Sequence, residues 1–320
     1  MEEGTGKILV GVSSCLLGEK VRFDSGHKKN DFITNILQDY FEFHPFCPEV
    51  SIGLGIPRET IRLVWQDEKV RCVGTKSVDL DVTDKLKTCA EDQKSWHQDL
   101  CAYILKKDSP SCGMERVKVY KGDMPKREGV GVYAEGLLKN FPNLPVEEEG
   151  RLQDPVLREN FVQRVFIYSR WRSMLKSPVS IKHINEFHAQ HKYIFMSHDQ
   201  NQAKALGSWL ADHFDADMTV LTDGYLEKMM QLLKVTATAK NHANTLQHLQ
   251  GYLKTSITQD DKQELVETIR DYREGLLPLI VPITLLRHHF RRFPHPYITT
   301  SFYIIIKCNI TALNHVAKIM

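Results

Sequence analysis

No run of about eighteen uncharged apolar residues occurs in the 320-residue chain, so no segment reads as a membrane span. The first residues, MEEGTGKILVGVSSC, lack the basic start and long apolar core of a signal peptide. This predicts a cytoplasmic protein with reduced thiols. There is no low-complexity segment and no internal repeat, which excludes collagen-like and solenoid architectures. The seven cysteines are too sparse for a disulfide-stapled miniprotein and form no local zinc-knuckle or ferredoxin-type run. What remains is ordinary: 42% apolar and 26% charged residues, with a formal net charge of +2, read as a globular chain long enough for two domains.

The near-neutral total conceals two unlike halves. Residues 1–150 hold 21 Lys and Arg against 25 Asp and Glu; residues 151–320 hold 21 against 15. Eleven of the 14 histidines fall in the second half and six of the seven cysteines in the first. A basic excess in one half suits a polyanionic partner, although it is also common on plain surfaces.

The first half alternates strand and helix signals. Lys7–Val12, Ile61–Trp65, Val70–Val73 and Val117–Tyr120 read as strands, with Asp67-Glu68 as a turn. Helical spacing covers Asp31–Glu42, Thr83–Lys106 (interrupted or ending in the strand-like AYIL) and Arg127–Asn140. This alternation predicts an α/β fold with a Rossmann-like parallel sheet, whose ligands gather at the carboxyl ends of the strands. Asn143–Gly150, with Pro145 and three glutamates, reads as a linker. Beyond it, spacing of three and four recurs over 156–176, 180–197, 201–213, 225–233, 238–254 and 258–292, which predicts an all-α domain kinked at Pro278 and Pro282. Trp171 and Trp209 read as core. His188 and His191 are spaced to share a metal, but a structural role fits them better without a third ligand.

Three cysteines stand apart. Cys15 lies in Ser13-Ser14-Cys15-Leu16-Leu17-Gly18 after the first strand, Cys47 in Phe46-Cys47-Pro48-Glu49-Val50, and Cys112 in Ser109-Pro110-Ser111-Cys112-Gly113 after AYIL. Each sits among turn-forming residues where strand-end loops converge, whereas Cys72, Cys89 and Cys101 lie inside strand or helix patterns and read as core. Three thiolates suit either a zinc site with one open position or three irons of a cubane cluster, and spacing alone does not choose between them.

These motifs also carry a resemblance. VSSCLLG at 12–18, VRFDSGHK at 21–28, CPEV at 47–50, GLGIPRE at 53–59 and SPSCG at 109–113 together look like the thiouracil desulfidase-like family. The stretches KHINEFHAQHKY at 182–193, ATAKNHANTLQHLQGYLK at 237–254 and YREGLLPLIVPITLLRHHFRR at 272–292 look like the helical domain fused to that module in many bacterial proteins. The resemblance implies a desulfidase-like α/β domain over 1–145, an all-α basic domain over 151–298, and an atypical tail over 299–320 whose FYIII stretch is an aggregation liability if exposed. It further implies a [4Fe–4S] cluster on Cys15, Cys47 and Cys112, with one iron open to the sulfur of a thiocarbonyl. Water would then replace sulfur without net redox change, with Glu49 as acid and base and Ser109 and Ser111 orienting water or substrate. Ser14, Asp24, His27 and Arg58 are further candidates for the base or cluster.

The helical half implies a substrate larger than a free base. Thiolated uridine occurs in tRNA, so the expected reaction removes a 2-thio or 4-thio sulfur from tRNA. Lys182, Lys192, Lys240, Arg287, Arg291 and Arg292 would meet phosphates. The competing expectations are a desulfidase of free thiouracil whose helical half serves assembly, a non-catalytic iron–sulfur sensor, and a zinc hydrolase.

Overall fold

A computed structural model describes residues 6–304 apart from 78 and 123. The chain divides into two compact units, Met1–Asp154 and Pro155–Met320.

The first unit runs β1 (Ile8–Ser13), α1 (Asp31–Asn35), β2 (Phe41–Phe46), α2 (Pro48–Ser51), β3 (Ile61–Gln66), β4 (Lys69–Gly74), α3 (Thr83–Asp92), α4 (Lys94–His97), β5 (Ala102–Leu105), β6 (Val117–Lys121), β7 (Met124–Gly129), α5 (Val132–Asn140) and β8 (Val146–Glu148). The expected parallel sheet is present in the order β2-β1-β5-β8, every pairing parallel. Its central strands are the most apolar: Val10, Val12 and all of Ala102–Leu105 are buried, as two-sided coverage demands. A second, mixed sheet has the order β4-β3-β6-β7. The β3–β4 hairpin turns on Asp67 and Glu68, both at positive φ (50° and 59°), the backbone of a two-residue turn that matches strand twist.

Three expectations about this unit are corrected. The helix read over Asp31–Glu42 ends at Asn35, and Phe41 onward forms β2. Pro45 hid this strand from the pattern, yet β2 lies at the sheet edge, where a missing N–H costs nothing. The helix read over Arg127–Asn140 begins only at Val132, because Lys126–Gly129 pair with β6. The linker read over Asn143–Gly150 contains β8, which pairs with β5 through Tyr103↔Val146 and Leu105↔Glu148. Its glutamates are buried because each has a partner: Glu147 holds Arg151 (2.7 Å), Glu148 accepts from Met114 N (2.8 Å), and Glu149 takes Lys107 N (2.7 Å) and the Lys106 ammonium.

The second unit is helical: α6 (Pro155–Met174), α7 (Ile181–His198), α8 (Gln200–Asp212), α9 (Met218–Lys234), α10 (Ala239–Gly251), α11 (Gln259–Arg273), α12 (Ile280–Arg292) and α13 (Pro296–Thr299). Asp199, Asp217, Thr238 and Thr258 cap α8, α9, α10 and α11 through their side-chain oxygens. The segment read as one kinked helix is two, parted at Gly275 (φ +81°) and Pro278; Pro282 falls in the first turn of α12, where its absent N–H has no helical partner to lose. Trp171, Phe187, Tyr225 and Leu246 lie in one core, and Trp209 packs against it. No described helix is long and apolar enough to cross a membrane.

The described part of the FYIII stretch, Phe302–Ile304, is not exposed. Tyr303 and Ile304 are buried in the helical core, Phe302 packs on it, and the Tyr303 hydroxyl lies 2.8 Å from His242 Nδ1. Residues 305–320 lie outside the described residues.

Candidate active site

The carboxyl ends of β1, β2 and β5 each deliver one cysteine to a single cavity of about 340 Å³, which Cys15, Cys47 and Cys112 all line. Cys15 follows β1 on a 3-10 turn closed by Gly18, whose φ of +99° suits glycine. The loop after it folds back, with Lys28 N donating to Cys15 O (2.8 Å) and Asn30 N to Leu16 O (2.9 Å). Cys47 is the residue before α2, and the backbone N–H groups of Val50 and Glu49 are directed at its sulfur. Cys112 is clamped by α5: Tyr133 N and Ala134 N both donate to Ser111 O, and Val132 N donates to Pro110 O. The fit is so close that a Cβ on Gly131 would stand 2.6 Å from the Ser111 carbonyl.

Beside the cysteines runs a chain of polar contacts. Ser109 Oγ accepts from Cys112 N (3.1 Å) and meets Ser111 Oγ at 2.9 Å; Ser111 Oγ donates to Glu49 Oε1 (2.6 Å). Glu49 Oε2 accepts from both Nε (2.9 Å) and Nη2 (2.6 Å) of Arg58. Arg58 Nη1 donates onward to Val21 O and Gly55 O, tying the loop after Cys15 to the segment after α2.

The six described cysteines are free thiols. Burial, reinforced by Cys47, pushes the Cys15 thiol up to about 11, against the pull of Lys106 and Arg22. Burial also raises Cys47, and burial with Cys47 nearby raises Cys112 far more. Three such buried sulfurs repel one another as thiolates unless positive charge sits between them. Among the described residues no three His, Cys, Asp or Glu side chains close on a point for one ion. The three cysteines line one cavity, and thiolates are the donor type that holds an iron–sulfur cluster.

Of the other predicted residues, Ser14, Glu49, Arg58 and Ser109 line the cavity, and Ser111 stands behind them through its hydrogen bonds. Asp24 and His27 do not line it. Asp24 accepts from Gly26 N and pairs with Arg22, and His27 Nδ1 accepts from Lys29 N, so both brace their own loop. Arg22, Lys28, Lys106 and Lys107 do line the cavity and were not among the candidates. The signal for the last two was their position directly after a buried strand, the same rule that singled out the cysteines. In the second unit Lys182 and Lys192 are exposed on α7, Lys240 on α10, and Arg287, Arg291 and Arg292 on α12. His188 Nδ1 meets the Tyr225 hydroxyl (2.9 Å) and His191 Nδ1 the Phe187 carbonyl (2.7 Å).

Comparison with known proteins gives the class of the first unit. Residues 10–149 match the model of the family described as 2-thiouracil desulfurase. Residues 192–306 match a family of unknown function, DUF1722. That match runs past Thr299, where the sequence was expected to leave its family's pattern. Among particular proteins, the chain is 28% identical over 131 residues to the uncharacterized protein YbgA of Escherichia coli (strain K12), covering 41% of this chain and 78% of that one. It is also similar to the solved structure of the [4Fe–4S]-dependent thiouracil desulfidase TudS, at 30% identity and a TM-score of 0.36, over 46% of this chain and 93% of the other.

Proposed function

We propose that this protein is an iron–sulfur desulfidase that removes the 2-thio or 4-thio sulfur from uridine in tRNA, with water supplying the replacing oxygen. The observation that carries the reading is the convergence of Cys15, Cys47 and Cys112 on one cavity beside the Ser109–Ser111–Glu49 chain. Cys15, Cys47 and Cys112 would hold a [4Fe–4S] cluster. When bound, such a cluster supplies positive charge to the buried thiolates and one iron without a protein ligand, a thiophilic Lewis acid for the thiocarbonyl sulfur.

The balance is C=S plus H₂O giving C=O plus H₂S, so no electrons are required. Glu49 lines the cavity as a carboxylate and takes the proton from water as it adds to the ring carbon. A proton gained by Glu49 returns through the same contacts in reverse, from Glu49 to Ser111 and from Ser111 to Ser109 on the cavity wall, and so back to the departing sulfur. Arg58 fixes the carboxylate in that line. Lys28 and Lys106 give the wall positive charge, which favours the anionic form of the base and of sulfide.

The cavity holds a base or nucleoside but not a folded RNA, so a tRNA substrate would present an unstacked nucleotide. The basic excess of residues 151–320 and the exposed cations of α7, α10 and α12 support a polyanion as the larger ligand. The test is iron and acid-labile sulfide content after anaerobic purification, followed by sulfide release from thiolated tRNA. About four irons and four sulfides per chain, lost in Cys15→Ala, Cys47→Ala and Cys112→Ala but kept in Cys72→Ser and Cys101→Ser, are expected. Zinc alone would refute the cluster; turnover of free thiouracil undiminished by excess tRNA would refute the RNA substrate.

A further inference from the structure

The second sheet presents features that the active site does not use. Arg62 and Val64 on β3 share a face with Tyr120 on β6, because Val64 and Tyr120 are register partners and Arg62 stands two residues away. The Arg62 guanidinium lies over the Tyr120 ring, 5.2 Å from its centroid, and its Nε is buried without a hydrogen-bond partner. Arg71 is the register partner of Val64 on the same face, Lys69 that of Gln66, and Lys118 stands two residues before Tyr120 opposite Arg127. Arg71 and Arg127 have acidic partners in Asp81 and Asp108. Lys69 and Lys118 are exposed and have none among the described residues. A second cavity of about 290 Å³ opens here, lined by Arg62, Val64, Trp65 and Tyr120 among others, and Trp65 is 45% exposed.

An aromatic ring braced by a guanidinium, with two unpaired lysines on the same face, fits a ligand with flat π faces and negative charge on its backbone, which is a single strand of nucleic acid. The placement adds direction. Thr60 and Ile61 line the cysteine cavity, and the next residues of the same strand line the second one. From Ile61 to Val64 is three residues, about 10 Å along a strand.

We propose that this face binds the RNA strand flanking the thiolated uridine, with a neighbouring base stacked on Tyr120 and its phosphates on Arg62, Lys69 and Lys118. The proposal rests on the RNA reading of the active site and names the surface that reading leaves open. Stacking serves any base, so the face would fix the position of the strand without reading its sequence.

The experiment is fluorescence anisotropy of a labelled, unmodified twelve-nucleotide single-stranded RNA titrated with the full-length holoenzyme at two salt concentrations. Tyr120→Ala and Lys118→Glu are each expected to weaken binding about tenfold, within the range of one base–aromatic stack or a few phosphate contacts. Tyr120→Phe, which keeps the ring, binds as wild type and guards against misfolding. All three variants release sulfide from free thiouracil at the wild-type rate. Wild-type affinity in both Tyr120→Ala and Lys118→Glu, with tRNA still bound, overturns this surface and leaves the active-site reading standing. Failure of the wild-type protein to bind tRNA or the oligonucleotide overturns both.

Discussion

Arg58→Ala puts the assembly of the active site to a quantitative test. The Arg58 side chain is only 5% exposed and Glu49 15%. Removing the guanidinium takes two charge-assisted bonds from Glu49 Oε2 and the donor from two carbonyls, Val21 and Gly55. Glu49 keeps one hydrogen bond, from Ser111, and loses its counter-charge. Breaking a buried pair on one side costs about 3–5 kcal/mol, and the retained serine contact places this case at the lower end. At about 2–4 °C per kcal/mol for a unit of this size, about 3 kcal/mol is a fall of roughly 6–12 °C in the first unit's melting temperature. Differential scanning calorimetry of the full chain reads it. Glu49→Gln with Arg58→Ala removes the stranded charge, so the double variant melts above Arg58→Ala alone, with a coupling of about 1–2 kcal/mol. Arg58→Lys does not rescue, because an ammonium cannot reproduce the two-pronged contact together with both carbonyl bonds. A melting temperature within 2 °C of wild type for Arg58→Ala, or strict additivity in the double variant, would refute the reasoning.

Other outcomes follow from the same structure. Glu49→Gln should lower turnover by about 10²–10⁴, the range of a lost general base, with iron content unchanged; parallel loss of iron would assign Glu49 to cluster retention instead. Ser111→Ala interrupts the path from Ser109, and sulfide release should fall about tenfold, the worth of one hydrogen bond, while an unchanged rate would remove the relay. Tyr303→Phe removes the hydroxyl that lies 2.8 Å from His242 Nδ1 in the helical core and should cost about 1 kcal/mol, the worth of one hydrogen bond, in a denaturation series on the second unit. Burial holds His188 down near 4 and His191 near 3, against 6.5 when unfolded. Both stay neutral in the fold while the unfolded chain takes up protons, so their contribution is full above about pH 6.5, declines as pH falls below it and is gone once pH has passed through those lower values. A urea midpoint for the second unit that holds or rises from pH 7 to pH 4.5 would contradict this.

The parts of the fold that the sequence disclosed share a physical cause. β1 and β5 are short apolar runs buried on both faces, and the loops that follow them had to converge, which is why Cys15 and Cys112 were legible without coordinates. Asp67-Glu68 declared a turn between two β-branched runs, and the helices of the second unit declared themselves by period. The missed elements lack such signals. β7 reads MPKREG and has an apolar residue only at Met124, since it pairs by backbone alone at a sheet edge. β8 is acidic, and its burial depends on Lys106, Arg151 and the Met114 and Lys107 amides, partners that no local spacing reveals. Asp24 and His27 looked chemical because they stand in a motif, but their hydrogen bonds are spent on the turn itself.

The late position of β8 governs how this unit comes into being. Its glutamates anchor the Lys106–Lys107 and Met114 backbones, which flank the segment carrying Ser109, Ser111 and Cys112. On the ribosome, therefore, Cys15, Cys47 and Cys112 all emerge before the strand that steadies the last of them. A nascent chain halted near residue 140 would display the thiols without the finished cradle. The cradle around Cys112 is therefore complete only once Glu149 has been made, and a module excised for separate production must extend through Asp154.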